Sequence, residues 1–485
     1  MLPARTTVHV EAVLPQGKGS RKTTGIVTVF QQFCLNTSQH GYKYIALPDR
    51  VFVERLLWAT AVAAALVTSA SLVWLALQQH NSRPTLIDIE TSHYPVWNFP
   101  FPAVTVCPTN KVHKGQLHSL LSEWRIPNGT SREQLRRDAA YVPALLGRTA
   151  GTHGALARLA AAVSANNLTV ADFMQKVAPQ CDQVVIKCQF KGLQRHCQKL
   201  FKTVLTECGV CCSFNYRAAR PAMQQRNSAD NLNDVVRMSA CGRQMGLSIL
   251  INDDRNDYVT TTEASHGVKV LVHDALNVPA ETSAAWLASP GQEVLLSLQP
   301  QLMYATQAAQ HERPGRRGCL LREERPLDLE RAYSSHNCRH DCRNNRTWQL
   351  CACLPFHVHD KEELEAEQGE SCNCAPECSS VEYLAEASTG ILKAARYPAS
   401  DHLMDGVNDS SISEVMLIHV FFVDLVGTRY RRDVYSTWRG LLASVGGLLG
   451  LCMGVSLLSC FELAYFFTAQ PALRAVRSRQ MASQR

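Results

Sequence analysis

The sequence contains no Gly-x-Ser-x-Gly, His-Glu-x-x-His or Gly-x4-Gly-Lys-Ser/Thr motif. These absences argue against a serine hydrolase, a zinc peptidase and a P-loop nucleotide hydrolase, because each of them needs those residues at that spacing. The formal net charge is only +7 over 485 residues, and the excess lies near the two ends of the chain, so no basic nucleic-acid surface is indicated. We therefore expect neither an enzyme, nor a cofactor, nor a nucleic-acid partner.

Charged residues are also missing from two long apolar runs, 56–77 and 440–461. Each run has the ~20 residues that an α-helix needs to cross a bilayer. The first run follows about fifty residues and is too long for the apolar part of a signal peptide. Core helices of this length normally show a polar face. The sequence thus predicts two membrane helices, over 56–79 and 438–467, in contact with membrane lipid.

The charges that flank these runs predict the topology. Residues 1–55 carry an excess of Lys and Arg, and the segment after Glu462 has four Arg and no acid. Loops rich in Lys and Arg stay on the cytosolic side. We expect a plasma-membrane protein with a cytosolic N-terminal tail over 1–55, a short basic cytosolic tail over 468–485, and an extracellular domain over 80–437.

Cysteine is concentrated in the segment between the two runs. Sixteen of the nineteen cysteines lie there, and an even set in one segment is typical of disulfides in an oxidising compartment. Zinc binding through the pairs Cys351/Cys353 and Cys372/Cys374 is the alternative, but their spacing is C-x-C rather than the usual C-x2-C. The disulfide candidates are Cys107, Cys181, Cys188, Cys197, Cys208, Cys211, Cys212, Cys241, Cys319, Cys338, Cys342, Cys351, Cys353, Cys372, Cys374 and Cys378.

Four Asn-x-Ser/Thr sequons also lie between the two runs and predict glycosylation there. They begin at Asn128, Asn167, Asn345 and Asn408. Two histidines close to the cysteines, His357 and His359, are interpreted as exposed loop residues rather than as a pH or metal sensor. We expect no resident metal.

Hydrophobic patterns in the middle segment predict a mixed α+β domain. Residues 113–180 read as short helices with breaks at Pro127, Pro143 and Gly151. The eight cysteines over 319–378 predict a helix pair or loop bundle held by disulfides. Strands are predicted over 103–106, 246–252, 267–273, 293–303 and 414–425, of which the last two are apolar enough to be buried on both faces.

Motifs spread along the chain carry a family resemblance. His40-Gly41 is similar to a cytosolic gating motif, and "GVS" at 454–456 stands where a Gly/Ser-x-Ser selectivity filter is found. The other matching motifs are "FPAVTVC" (101–107), "LTECGVCCSFN" (205–215), "RRGCLLREE" (316–324), "YSSHNCRHDC" (333–342) and "CACLPF" (351–356). From about 33 to 467 the chain resembles the degenerin/epithelial sodium channel family, and most of all its insect pickpocket branch.

The resemblance implies a homo- or heterotrimer of related channel subunits. Each subunit would have two membrane helices and a disulfide-rich α+β ectodomain, with a β-sheet palm and helical finger and thumb. The implied function is sodium-preferring, amiloride-sensitive cation conduction, with Na⁺ passing transiently through Gly454, Val455 and Ser456 and with His40 and Gly41 in gating. Two departures stand out: Ser444 replaces an acidic residue of some acid-sensing members, and Val455 replaces a small filter residue.

The second apolar run raises a physical problem that is independent of the resemblance. As one helix, 438–467 would be ~45 Å long against a hydrocarbon core of ~30 Å, so it must tilt or break. Glycines permit a break, and we place it at Gly454–Ser456, where freed carbonyls and the Ser456 hydroxyl can replace water around a cation. Packing of Gly446, Gly450 and Gly454 against another helix is the alternative.

Four further residues of this run are candidate pore-lining residues. They are Ser444, Gly450, Ser459 and Glu462. Ser459 either lines the pore below the filter or bonds back to its own helix. Glu462, facing a central axis in three copies, would form a ring that concentrates cations.

Two rival functions involve the same arrangement of spans. An ATP-gated trimeric receptor needs a lysine cluster for the triphosphate, and the middle segment is poor in Lys. A non-conducting auxiliary subunit or cell-surface receptor remains open, because sequence does not show whether three copies open a pore. The gating stimulus is equally open.

Overall fold

The structure is a computed structural model of the 485-residue chain. It describes residues 25–82, 85–146, 153–218, 235–280, 283–327, 332–357, 372–393, 402–408 and 410–473, with 476 and 480. The chain forms two compact units. One comprises Met1–Pro84 with Tyr435–Arg485, and the other is Thr85–Val434.

The helices of the described residues fall into both units. In chain order they are α1 Gly25–Asn36, α2 Tyr42–Ala46, α3 Phe52–Ser82, α4 Lys114–Glu123, α5 Arg132–Asp138, α6 His153–Ala165, α7 Val170–Val177, α8 Cys181–Val184, α9 Cys197–Leu200, α10 Gln307–His311, α11 Pro314–Arg317, α12 Ser335–Cys351, α13 Trp438–Met453 and α14 Leu457–Ala464.

The strands all belong to the unit Thr85–Val434. They are β1 Thr85–Pro95, β2 Ala103–Pro108, β3 Val185–Phe190, β4 Leu193–Arg195, β5 Phe201–Thr206, β6 Gly209–Phe214, β7 Leu247–Asn252, β8 Val268–His273, β9 Ala284–Ala288, β10 Gln292–Ala305, β11 Ser380–Ile391, β12 Val415–Phe422 and β13 Val426–Val434. Each of the five predicted strands has a counterpart in this set.

The strands form two sheets with a shared core. One sheet has the order β1-β13-β10-β12-β7-β3-β4, and β11 pairs with β10 outside this order. The second sheet has the order β5-β6-β2-β8-β9. Apolar side chains from both sheets meet in one buried cluster, for example Val104 and Val270 from the second sheet with Ile249 and Ile418 from the first. The mixed α+β architecture of the middle segment is confirmed.

Strand β10 corrects one detail of the prediction. Its buried and partly exposed residues alternate along most of its length, whereas β12 is buried at all but one position. Strand β10 pairs with β11 on one edge and with β12 and then β13 on the other. Its alternation shows that only one face of the strand is covered by the core.

Short helices fill the region 113–180, as predicted. Helices α4 to α7 pack around a buried cluster that includes Leu117, Leu135 and Phe173. Pro127 lies between α4 and α5, as expected for a helix breaker. Pro143, however, lies inside a 3₁₀ turn over Ala139–Leu146 rather than at a break, and Gly151 lies outside the described residues.

Seven disulfides hold this unit together. Their pairs are Cys107–Cys211, Cys181–Cys212, Cys188–Cys197, Cys319–Cys378, Cys338–Cys374, Cys342–Cys372 and Cys351–Cys353. All eight cysteines over 319–378 are paired, which favours the disulfide reading of that segment. The acidic stretch inside it, 360–370, lies outside the described residues.

Two disulfide candidates are not in any of these pairs. Cys208 packs beside Cys107 and Cys211, and those two sulfurs are bonded to each other. Cys241 packs at the margin of the core between the sheets. Fourteen of the sixteen candidates meet in the seven pairs, because a disulfide requires two sulfurs at bonding distance.

The other unit is built on two long apolar segments. Helix α3 has the length and composition to cross a membrane, and α13 with the segment Leu457–Leu473 passes the same test when the two are taken as one broken span. Helix α13 packs against α3 through its buried residues, among them Met453, whose Sδ lies 3.5 Å from the Ser69 hydroxyl. These segments agree with the two predicted spans.

Candidate pore segment

The second apolar segment is broken where the sequence predicts it. Helix α13 ends at Met453, α14 begins at Leu457, and the axis of α13 differs by 68° from that of the segment Leu457–Leu473. Gly454 ends α13 with φ 68° and ψ 23°, in the left-handed region that favours glycine. Gly454 and Val455 therefore lie outside both helices, and their carbonyls are not committed to a helical ladder.

Ser456 and Ser459 form the start of α14. The Ser456 hydroxyl accepts a hydrogen bond from the Ser459 amide at 3.3 Å, and the Ser456 amide donates to the Ser459 hydroxyl at 3.1 Å. This reciprocal pair is a capping box. Ser456 is exposed, but Ser459 is fully buried within the chain. The Ser459 hydroxyl thus bonds at the terminus of its own helix.

The segment that precedes α2 contacts the break directly. The His40 amide donates to the Met453 carbonyl at 3.1 Å. A Cβ placed on Gly454 would lie 2.9 to 3.0 Å from the His40 ring, closer than real carbon contacts. Gly41, also at positive φ, lies against Val62 and Trp58 of α3. The two motifs that the family resemblance singled out, His40-Gly41 and Gly454–Ser456, are therefore in contact.

Glu462 is bound by the same segment. Its Oε2 accepts from the Thr37 hydroxyl at 3.2 Å and from the Ser38 amide at 3.3 Å, and its Oε1 accepts from the Ser38 hydroxyl at 3.1 Å. Hydrogen bonds to an ionised carboxylate are stronger than those between neutral groups. This carboxylate therefore fixes the segment 37–41 against α14.

Aromatic side chains surround the docked segment. Phe33 contacts the rings of Tyr42, Phe466 and Phe467, with centroids 5.5 to 5.9 Å apart. Tyr44 stacks on Trp58 of α3 at 4.6 Å. Phe33, Tyr42 and Tyr44 stand close together in the sequence, whereas nothing in the sequence marked Thr37 and Ser38 as partners of Glu462.

The remaining candidates lie on the outer side of α13. Ser444 and Gly446 are exposed, and a Cβ on Gly446 or Gly447 would meet nothing within 4 Å. The site of a Cβ on Gly450 lies 3.8 Å from the Val455 carbonyl oxygen. This face of α13 does not pack against α3, so packing among the helices that the structure describes does not explain these small residues.

A family model and several known proteins are similar to this chain along most of its length. A family model described as "Amiloride-sensitive sodium channel" matches residues 33–466. Sodium channel protein Nach of Drosophila melanogaster is 24% identical, with 90% of this chain and 86% of that protein covered. Pickpocket protein 28 of Drosophila melanogaster is 24% identical, over 92% of this chain and 79% of that protein.

A vertebrate relative extends the comparison. Acid-sensing ion channel 2 of Rattus norvegicus is 25% identical, over 89% of this chain and 85% of that protein. Two of these relatives, Nach and acid-sensing ion channel 2, are named as ion channels and not as enzymes. With a family match over most of its length, this chain belongs to the amiloride-sensitive sodium channel family.

Proposed function

We propose that the chain is a subunit of a trimeric, sodium-preferring and amiloride-sensitive cation channel of the plasma membrane, with both termini in the cytosol and Thr85–Val434 outside the cell. The broken second span carries the proposal. Irregular backbone at membrane depth is tolerated only where it lines protein or water, and the break at Gly454–Ser456 leaves peptide groups outside both helices.

Cation selection at the break follows from its oxygen ligands. Carbonyls of Gly454 and Val455 with the Ser456 hydroxyl offer hard oxygen donors and no fixed charge, so they replace hydration water without retaining the ion. Sodium is smaller than potassium and holds its water more tightly, so selection depends on close, well-placed oxygens. Three subunits around one axis would supply three copies of each ligand.

The outer face of α13 supports assembly of several subunits. Exposed Ser444, Gly446 and Gly447 leave a face on which another helix can approach closely. Large apolar side chains of the same segment are also exposed, including Leu451 and Leu457, at 83% and 84%. Lipid and neighbouring subunits are the surroundings in which such side chains are stable.

In this proposal the docked segment 37–41 controls gating. His40 lies against Gly454 while Thr37 and Ser38 bind Glu462, so any movement of this segment changes the surroundings of the filter. In a trimer three Glu462 carboxylates would lie below the filter and raise the local cation concentration.

The test is current recorded in oocytes that express the chain alone or with related subunits, with and without amiloride. Ser456→Ala removes one oxygen per subunit, so the sodium-to-potassium permeability ratio should fall severalfold and shift the reversal potential in mixed-ion solution. Ser71→Ala is the matched control, because Ser71 is an exposed α3 serine that bonds only to its own helix, at the Val67 carbonyl.

Two results would contradict the proposal. An unchanged reversal potential in Ser456→Ala would place the filter elsewhere. Surface expression without current in every combination would favour the non-conducting auxiliary subunit or receptor.

A further inference from the structure

Two histidines and a carboxylate from three separate segments meet in the unit Thr85–Val434. They are Glu207, in the turn between β5 and β6, His340 on α12, and His357, which follows α12. One ligand atom of each lies within 4.8 Å of the other two. His340 is buried, and Glu207 and His357 are half-buried. His357 is half-buried rather than the exposed loop residue that its sequence context predicted, and its ring lies beside that of His340. His359 lies outside the described residues.

From this geometry we propose that Glu207, His340 and His357 form a binding site for a divalent transition-metal ion, with Zn²⁺ as the preferred ion. Two imidazoles and one carboxylate are a common zinc ligand set in proteins, with solvent as the fourth ligand. Donors on one tetrahedral Zn²⁺ lie roughly 3.3 Å apart when the bonds are about 2.0–2.1 Å long. The three ligand atoms all lie within 4.8 Å of one another, so side-chain rotation would have to bring them closer when the ion binds.

The rest of the structure holds each ligand in place. His340 lies between Cys338 and Cys342, and both cysteines are bonded to the segment that follows the 358–371 stretch. The His340 and His357 rings are 5.8 Å apart. Phe356, next to His357, packs on the helical core of α4 to α7. Rigid support of this kind favours metal binding, because the ligand side chains lose little conformational entropy when the ion binds.

Glu207 is supported by its hairpin turn. The Thr206 hydroxyl donates to the Gly209 carbonyl at 3.0 Å and accepts from the Cys208 amide at 3.1 Å. Arg343 donates to Glu207 Oε1 at 2.7 Å. The Arg343 side chain is 64% exposed, so it can turn into solvent when a metal takes the carboxylate. An ion pair whose cation is largely exposed is a weaker competitor than a fully buried pair.

A bound metal would connect parts of the unit that the disulfides leave separate. Among the described cysteines, each disulfide lies either within 107–212 or within 319–378. The metal would join the β5–β6 turn of the first group to α12 of the second. Extracellular zinc would then restrict movement between these segments, which is a means of regulation separate from ion conduction.

The experiment measures metal binding to the purified full-length protein in detergent after treatment with a chelator. Zn²⁺ should raise the melting temperature of the wild type with one ion bound per chain, and Co²⁺ should give the visible absorption of a four-coordinate site. Mg²⁺ at the same concentration should do neither, because it prefers six oxygen ligands.

Variants identify the ligands. His357→Asn and Glu207→Gln should each weaken zinc binding by at least about tenfold, since even the loss of an outer-shell partner costs 10–100-fold. His340→Asn should do the same where it folds. Two controls should keep the zinc-induced shift: Arg343→Gln, which removes only the competing cation, and His311→Asn, which removes an exposed histidine of α10.

Either of two outcomes would overturn the inference. One is a wild type that shows no zinc-dependent shift. The other is wild-type zinc affinity in both His357→Asn and Glu207→Gln, which would mean that the ion binds elsewhere. Neither readout requires current, so failure here is distinct from failure of the channel proposal.

Discussion

Burial in the core changes the protonation of single residues. His273, at the end of β8, is buried with its Nε2 2.9 Å from the Thr105 hydroxyl and its Nδ1 2.9 Å from the Asp274 carbonyl. Burial disfavours the charged imidazolium and, with a smaller effect from the neighbouring His336, lowers the pKa of His273 from 6.5 to about 4, although the hydrogen bond to the Asp274 carbonyl acts to raise it. The folded protein therefore favours the uncharged ring of His273.

This shift predicts a loss of stability in acid. Because the folded-state pKa of His273 is below its unfolded value, its contribution is complete above pH 6.5 and is lost as the pH falls from 6.5 to about 4. The loss is at most roughly 3 kcal/mol. His273→Gln should make the melting temperature of the purified protein less sensitive to pH in this window. At pH 7.5 the melting temperature of the variant should be lower than that of the wild type.

The neighbouring Asp274 carboxyl changes stability with pH in the opposite direction. Burial raises the pKa of Asp274, partly offset by Arg322, so its contribution is present at low pH and lost as the pH rises through that raised pKa. Asp274 is kept in the His273→Gln variant, so the comparison isolates the histidine. An equal pH dependence in the two proteins would contradict the assignment.

At the scale of elements, the docking of residues 33–46 on α3 and α14 is the main finding. Aromatic contacts hold Phe33 and Tyr44, and the Glu462 carboxylate holds Thr37 and Ser38. A short segment with little core of its own is ordered only by such contacts. The stability of this contact therefore controls whether His40 stays beside Gly454.

A double-variant cycle tests that dependence. Glu462→Gln and Ser38→Ala should each lower the melting temperature of the purified protein, since hydrogen bonds to a charged group contribute about 1.5–3 kcal/mol. The double variant should be only slightly less stable than Glu462→Gln, because the hydroxyl has then already lost its charged acceptor.

Thr60→Val provides the control for this cycle. The Thr60 hydroxyl bonds to the Leu57 carbonyl within α3, and its effect should add to that of Glu462→Gln. Full additivity between Glu462→Gln and Ser38→Ala would mean that the carboxylate does not hold the segment.

At the scale of the whole molecule, the sequons test the topology. Asn128, Asn167 and Asn408 are exposed, whereas Asn345 is half-buried on α12. We expect tags at Met1 and Arg485 to be inaccessible to antibody on intact cells. Replacing the three exposed asparagines with Gln should abolish the mass that a glycosidase removes, and Asn345→Gln should leave it unchanged.

Surface labelling of either tag would reverse the proposed topology. A glycosidase-sensitive mass that persists in the triple variant would show that Asn345 carries glycan despite its position on the helix.

Much of this protein was determined by local sequence. Two uncharged runs of about 20 residues, a glycine where a helix longer than the bilayer must break, and alternating or continuous apolar strands are all properties of neighbouring residues. They predicted α3, the break at Gly454 and the five strands. The family followed from short motifs for the same reason.

Only the tertiary structure decided which distant residues meet. Thr37 and Glu462 are separated by 425 positions, and Glu207 is far from His357 in the chain, so no periodicity relates them. The same holds for which cysteines of an even set meet in the seven disulfides, and for the burial of Ser459. Side-chain partners depend on how elements pack and on sheet register, which local patterns do not encode.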